Sequence, residues 1–300
     1  MRRTLLFVVV VASAVVACGP RSDAVPVLRT DHCPVGGCVD AGPTGPIGPV
    51  TIPDEPLEDW DTTDQGPLSG IFAVEATIDA RVVVPVQLRQ LLRLRIVQHG
   101  NRLHQKTTLC AFKLPVVENV ATLEIPPPLQ VVIQGKATED EGDYLVPGAQ
   151  LKYAPPPFLV VVGAKLAKPA TDPLPTKDNP TSALDEDMDG APGVTLISKV
   201  LTCPTPQRIF VALRTTGALS GTVATGDLIT GTVDVSLQQS ILGWSDECLA
   251  VASTIKIDIA PKSPFHAVRT TAADDLDQNG NVSCAELLLR APTTFGPQWR

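Results

Sequence analysis

From Leu68 onward the chain runs in short apolar stretches rich in valine, isoleucine and threonine, broken by glycine or proline roughly every ten residues. Segments of that length suit strands and are too short to lay down the repeating apolar stripe of a helix. They predict strands near 70–78, 81–89, 91–98, 102–112, 120–125, 129–134, 157–166, 194–200, 207–216, 218–225, 228–238, 247–259 and 264–270, with helix signals nearly absent. Leu92, Leu94 and Ile96 alternate with Arg93 and Arg95, which puts the arginines on the opposite strand face. That face reads as solvated, with a phosphate-binding stripe as the alternative. So many antiparallel segments in about 200 residues predict an all-β domain, a closed antiparallel β-barrel or, as the alternative, a β-sandwich.

The chemistry is concentrated near the C-terminus. Residues Asp275-Leu-Asp-Gln-Asn-Gly-Asn-Val-Ser-Cys-Ala-Glu286 match the twelve-residue EF-hand calcium loop. Asp275, Asp277 and Asn279 stand at positions one, three and five, Gly280 at the turn, Asn281 and Ser283 at seven and nine, and Glu286 at twelve. Calcium prefers six to eight oxygens at about 2.3–2.6 Å, and alternate side chains of a tight turn converge only if a glycine lets the backbone fold back. The expected cofactor is therefore calcium. Phe265–Thr271 ahead of the loop reads as a strand and Ala285–Arg290 behind it as a short helix, so the loop is expected to act as a staple and not as a paired sensor. A second run, Asp185-Glu-Asp-Met-Asp-Gly190, places Asp185, Asp187 and Asp189 on the first three ligand positions. It has Pro192 at position eight and Leu196 at twelve, so the match is partial, and it also resembles thrombospondin type 3 and dockerin-like calcium turns.

The N-terminus gives an address. Two arginines precede an apolar run from Leu5 to Ala17, the layout of an export signal too short to span a membrane. Val15-Val16-Ala17-Cys18 resembles the bacterial lipobox, which implies cleavage before Cys18 and a lipid anchor on its thiol; Gly19 favours the outer membrane over inner-membrane retention. A plain cleaved signal is the alternative, and the Arg2-Arg3 pair also fits twin-arginine export. Residues 18–67 are a Pro/Gly-rich tether, 68–272 the β domain interrupted by an acidic Pro-rich loop at 168–193, and 273–300 the calcium loop, helix and tail. Six further cysteines, Cys33, Cys38, Cys110, Cys203, Cys248 and Cys284, suit three disulfides in an exported chain, with zinc as the competing use of the thiols. Cys33–Cys38 reads as a local clasp, and pairing Cys110 with Cys284 and Cys203 with Cys248 would bring the terminal loop onto the barrel.

With 32 acidic against 24 basic side chains the chain carries a formal charge of −8, which argues against nucleic acid as a partner. No catalytic constellation is found: there is no His-Glu-x-x-His pattern, and Gly243-Trp-Ser-Asp-Glu247 lacks the second glycine of a nucleophile elbow. Lipobox, proline-rich tether and an acidic loop running into Pro-Gly-Val-Thr, here Asp187-Met-Asp-Gly-Ala-Pro-Gly-Val-Thr195, together resemble the lipoproteins of myxobacteria and related δ-proteobacteria. The resemblance implies a lipocalin-like β domain and an envelope location but no activity, and the Gly-x-Trp strand signature of lipocalins is absent. The expected function is a calcium-binding, lipid-anchored envelope protein with a structural role or an envelope-protein partner. A lipocalin-like binder of an apolar molecule or lipid is the alternative, and a hydrolase with an unrecognised site the next.

Overall fold

The computed structural model describes residues 60, 65–81, 85–114, 116–117, 121–200, 203, 206–249 and 257–299. The signal, Cys18, the Cys33–Cys38 pair and nearly all of the tether lie outside the described residues. Among those described, no helix is long and apolar enough to cross a membrane.

The domain is all-β, an antiparallel sheet curled into a half-barrel. β1 (Gly70–Arg81), β2 (Pro85–His99) and β3 (Arg102–Lys113) form a meander, and β6 (Thr138–Asp143) pairs with β3 as one edge. On the other side of β1 lie β14 (Ser263–Arg269), β12 (Leu228–Trp244) and β11 (Gln207–Thr225) in turn. The far side of β11 is shared by β10 (Val194–Val200), β9 (Phe158–Val162) and β8 (Lys152–Tyr153). β10 continues to β5 (Ala121–Glu124) and the edge strand β4 (Val116–Val117), while β7 (Leu145–Val146) pairs with β8 and β13 (Asp258–Ile259) with the end of β1. The edge strand Thr138-Glu-Asp-Glu-Gly-Asp143 carries four carboxylates, a charge that discourages pairing with another chain.

The inside of the curl is filled. Phe72, Val74, Leu94, Ile96, Leu103, Tyr153, Ile229 and Phe265 form one buried cluster, and a void bounded by Val74, Leu94, Tyr153, Phe158, Leu219 and Phe265 is about 20 Å³, room for little more than a water. Gly221 and Gly231 face each other across β11 and β12, and a Cβ on either would stand within 3.0 Å of the Phe265 ring. Glycine there is what admits the ring.

The other face of the meander is covered as well, so the middle of β1 is buried on both sides. Phe72 through Ala76 are all buried. Phe72, Val74 and Ala76 face the inner core, while Ala73 packs with Leu91, Cys110, Ala111, Val282, Leu287, Ala291 and Trp299 under α2 (Cys284–Thr294). Glu75 on the same side accepts a hydrogen bond from the Trp299 indole N–H at 2.7 Å.

Several expected elements take a different form. The strand expected at 129–134 is a helix, α1 (Pro127–Gln134). Its proline start suits the first helical turn, and Leu129, Val132 and Ile133 form an apolar face that packs with Val162, Ile209 and Val211. That burial outweighs a helix penalty of a few tenths of a kcal/mol per β-branched residue. The strands expected at 81–89 and 91–98 are one, as are those at 207–216 and 218–225, because Gly217 continues the ladder and takes the Phe158 ring against its backbone. Within the expected 247–259 strand the described residues form a 3₁₀ turn at Glu247–Leu249 and then β13.

Candidate metal centre

The C-terminal loop is assembled from β14 outward. After Arg269, the Thr270 amide and hydroxyl both donate to the Ile71 carbonyl, at 2.8 and 3.0 Å, tying the exit to β1. Asp274 accepts from the Thr271 amide at 2.7 Å and pairs with Arg290 of α2 at 3.1 Å. The helix begins at a capping box: the Ser283 hydroxyl accepts from the Glu286 amide while the Glu286 carboxylate accepts from the Ser283 amide at 2.7 Å.

Between these anchors the chain takes a tight path, with positive φ at Gln278 (59°) and Gly280 (82°). The Asp275 carboxylate accepts from the amides of Asn279 (3.1 Å) and Gly280 (2.9 Å). Oxygens of Asp275, Asp277 and Glu286 lie within 4.8 Å of one another. The other three expected ligands are differently engaged. The Asn279 side chain accepts from the Asn281 amide and donates to Asp277, and Ser283 belongs to the capping box. The Asn281 side chain is buried and accepts from Arg93 at 2.5 Å, leaving only its backbone carbonyl for the role of position seven.

Arg93 corrects the solvated-face reading. It is 3% exposed, and its guanidinium also donates to the Val282 carbonyl at 2.7 Å. Neighbouring Arg95 lies under the Trp60 ring, 4.5 Å from its centroid. These arginines alternate away from the inner core as expected, but the C-terminal segment covers the middle of their face. Among the described residues, two of the three expected disulfides are present with the anticipated pairing. Cys203 joins Cys248, and Cys110 joins Cys284 at loop position ten. Cys110 is the extra residue of a β-bulge opposite Leu91 and Leu92; its sulfur meets α2, and its carbonyl, left out of the ladder, accepts from Gln130 (2.5 Å) and Gln134 (2.8 Å) of α1.

The acidic turn at 185–190 repeats this backbone in detail. Met188 (φ 55°) and Gly190 (φ 84°) stand where Gln278 and Gly280 do. The Asp185 carboxylate accepts from the amides of Asp189 (3.1 Å) and Gly190 (2.9 Å), and Asp189 accepts from the Ala191 amide, matching the donors on Asp275 and Asn279. Asp185, Asp187 and Asp189 converge within 4.8 Å. Then the loops diverge, since position twelve here has already passed into β10 and no carboxylate returns.

Both clusters offer oxygen only, the donor set of a hard cation such as calcium and a poor one for zinc. They differ in how satisfied they are. Glu286 takes four donors, from Leu276, Asp277 and the Ser283 amide and hydroxyl. Burial works to raise its carboxyl, but those donors outweigh it and hold it below the usual carboxylate range. Asp187 is the opposite case: burial first, then neighbouring Asp189, hold its carboxyl above that range against the Thr195 amide. The nucleophile suggested by the Gly-Trp-Ser stretch, Ser245, sits in a turn, accepting from the Arg208 amide and donating to Gln207.

No family model, curated protein or solved structure matches the chain.

Proposed function

We propose that this chain is a calcium-binding, lipid-anchored protein of the cell envelope with a structural or interaction role, its C-terminal segment stapled to the β domain by a cation in the Asp275–Glu286 loop. The observation that carries this reading is the convergence of the Asp275, Asp277 and Glu286 carboxylates within 4.8 Å. In support, the loop follows β14 closely and carries Cys284 of the Cys110–Cys284 bridge at its tenth position, so it is placed to hold an end of the chain against the sheet. Asp275, Asp277 and Glu286 would hold the ion, with the Asn281 carbonyl completing one side. The anchor at Cys18 and the outer-membrane location rest on the lipobox resemblance.

Calorimetric titration with calcium tests it. Extracellular calcium modules bind at about 10⁻⁴ to 10⁻³ M, so heat in that range is expected. Glu286→Gln, which keeps the capping-box shape and removes a charge, should lose one equivalent. Equal stoichiometry in the two proteins would refute the assignment.

A further inference from the structure

The acidic turn at 185–190 has a property its better-matched counterpart lacks. Asp187 is 5% exposed, and its Oδ1 is buried without a hydrogen-bond partner. Its other oxygen accepts from the Thr195 amide at 2.8 Å at the start of β10. An ionised carboxylate with one oxygen both dry and unpaired is costly, and a bound ion is one of the things that can complete such a group. The surroundings fit a cation. Asp185, Asp187 and Asp189 each bring one carboxylate oxygen within 4.8 Å of those of the other two, and Arg208 stands 4.0 Å from Asp189 at the exposed rim. Glu186 turns its own Oε1 to Lys136 and is not part of the convergent set.

We propose that Asp185, Asp187 and Asp189 form a second calcium site, independent of the C-terminal loop, in which the buried oxygen of Asp187 is a ligand. The site fastens the long 163–193 excursion to the sheet. The Thr195 hydroxyl donates to Asp189 at 2.6 Å, the Glu186 amide to Gly193, and the Leu184 amide to Gly163 at the end of β9. A cation between the three aspartates closes a ring that spans the start and finish of that excursion. The missing carboxylate at position twelve leaves the coordination to be completed by backbone carbonyl or water, so binding weaker than at the C-terminal loop follows.

The test is calcium stoichiometry by equilibrium dialysis with radiolabelled calcium, carried to about 10 mM to cover the affinity range of such modules. Four proteins are compared: the unaltered chain, Asp187→Asn, Glu286→Gln and the double variant. The expected stoichiometries are two, one, one and zero. Asp187→Asn keeps an acceptor for Thr195 and removes the unpaired charge, so its melting temperature in EDTA should be equal to or above that of the parent, while its calcium-induced rise is smaller. Should that variant fail to fold, Asp189→Asn in the Glu286→Gln background takes its place, and loss of the remaining calcium supports the site. If Glu286→Gln binds no calcium while the unaltered chain binds one equivalent, the second site is overturned and the C-terminal one stands. Retention of both equivalents by Asp187→Asn also overturns it, and no binding to the unaltered chain overturns both.

Discussion

Replacing Cys110 and Cys284 together by alanine opens the largest covalent loop of the described domain, whose ends are 174 positions apart. Alanine is the cleaner choice because Cys110 is fully buried and a serine hydroxyl would have no assured partner. In the chain-entropy account a crosslink stabilises by restricting the unfolded chain, by about 3 kcal/mol for a fifteen-residue loop and about 4.7 kcal/mol for a hundred. The Cys203–Cys248 bridge lies inside the loop and shortcuts 45 residues. About 130 effective residues remain, and the expected loss is about 5 kcal/mol. That is as large as the whole stability of many domains. Urea unfolding followed by tryptophan fluorescence and circular dichroism gives the value. With Trp60 and Trp244 replaced by phenylalanine in both proteins, Trp299, packed under α2, reports the C-terminal segment, and the far-ultraviolet signal reports the sheet. The bridged protein should unfold in one transition; without the bridge the midpoint should fall sharply, with the Trp299 signal leading. A loss below about 1 kcal/mol with coincident transitions would refute the idea that this closure is what holds the segment.

Arg93→Met keeps the aliphatic stem but removes the donors to the Asn281 side chain and the Val282 carbonyl at the root of the 275–286 loop. At about 1–3 kcal/mol for each donor lost to a buried acceptor, it should cost on the order of 2–6 kcal/mol in urea unfolding and weaken calcium binding at the C-terminal loop. An unchanged midpoint would show the contact to be incidental. Asp140, whose carboxyl burial holds above its usual range against Tyr144 and Gln105, has one buried oxygen without a partner. Its folded value exceeds its unfolded one, so its contribution is present below the ordinary aspartate value of about 4 and is lost as pH rises through the raised value. Asp140→Asn should therefore be more stable than the parent at pH 7 in EDTA, by an amount that shrinks towards pH 4; a less stable variant at pH 7 contradicts this.

The β character of the domain was legible because valine, isoleucine and threonine runs and their glycine and proline breaks are local signals. The helix at Pro127–Gln134 was not, since its residues read as strand and only the packing of Leu129, Val132 and Ile133 on distant strands decides otherwise. Gly217 looked like a break and is instead the place where a ring lies on the ladder. The acidic strand at 138–143 has no apolar face to announce it, because it is an edge. In the two acidic loops, spacing alone indicated which carboxylates come together. Arg93 was misjudged because an arginine alternating with leucines gives no hint that a segment almost 190 residues later will cover it. The unpaired oxygen of Asp187 is a tertiary property, invisible in a motif that matches the calcium-loop pattern less fully than 275–286 does.

Amide hydrogen exchange across α2, in calcium and in EDTA, tests the stapling claim most directly. With calcium at ten to a hundred times the dissociation constant, mass action stabilises the closed loop by about 1.4 to 2.7 kcal/mol. Exchange at Leu287–Ala291 should slow by about ten- to a hundredfold on adding calcium, while amides at the centre of β11 and β12 change less. Identical exchange of α2 with and without calcium would contradict the account.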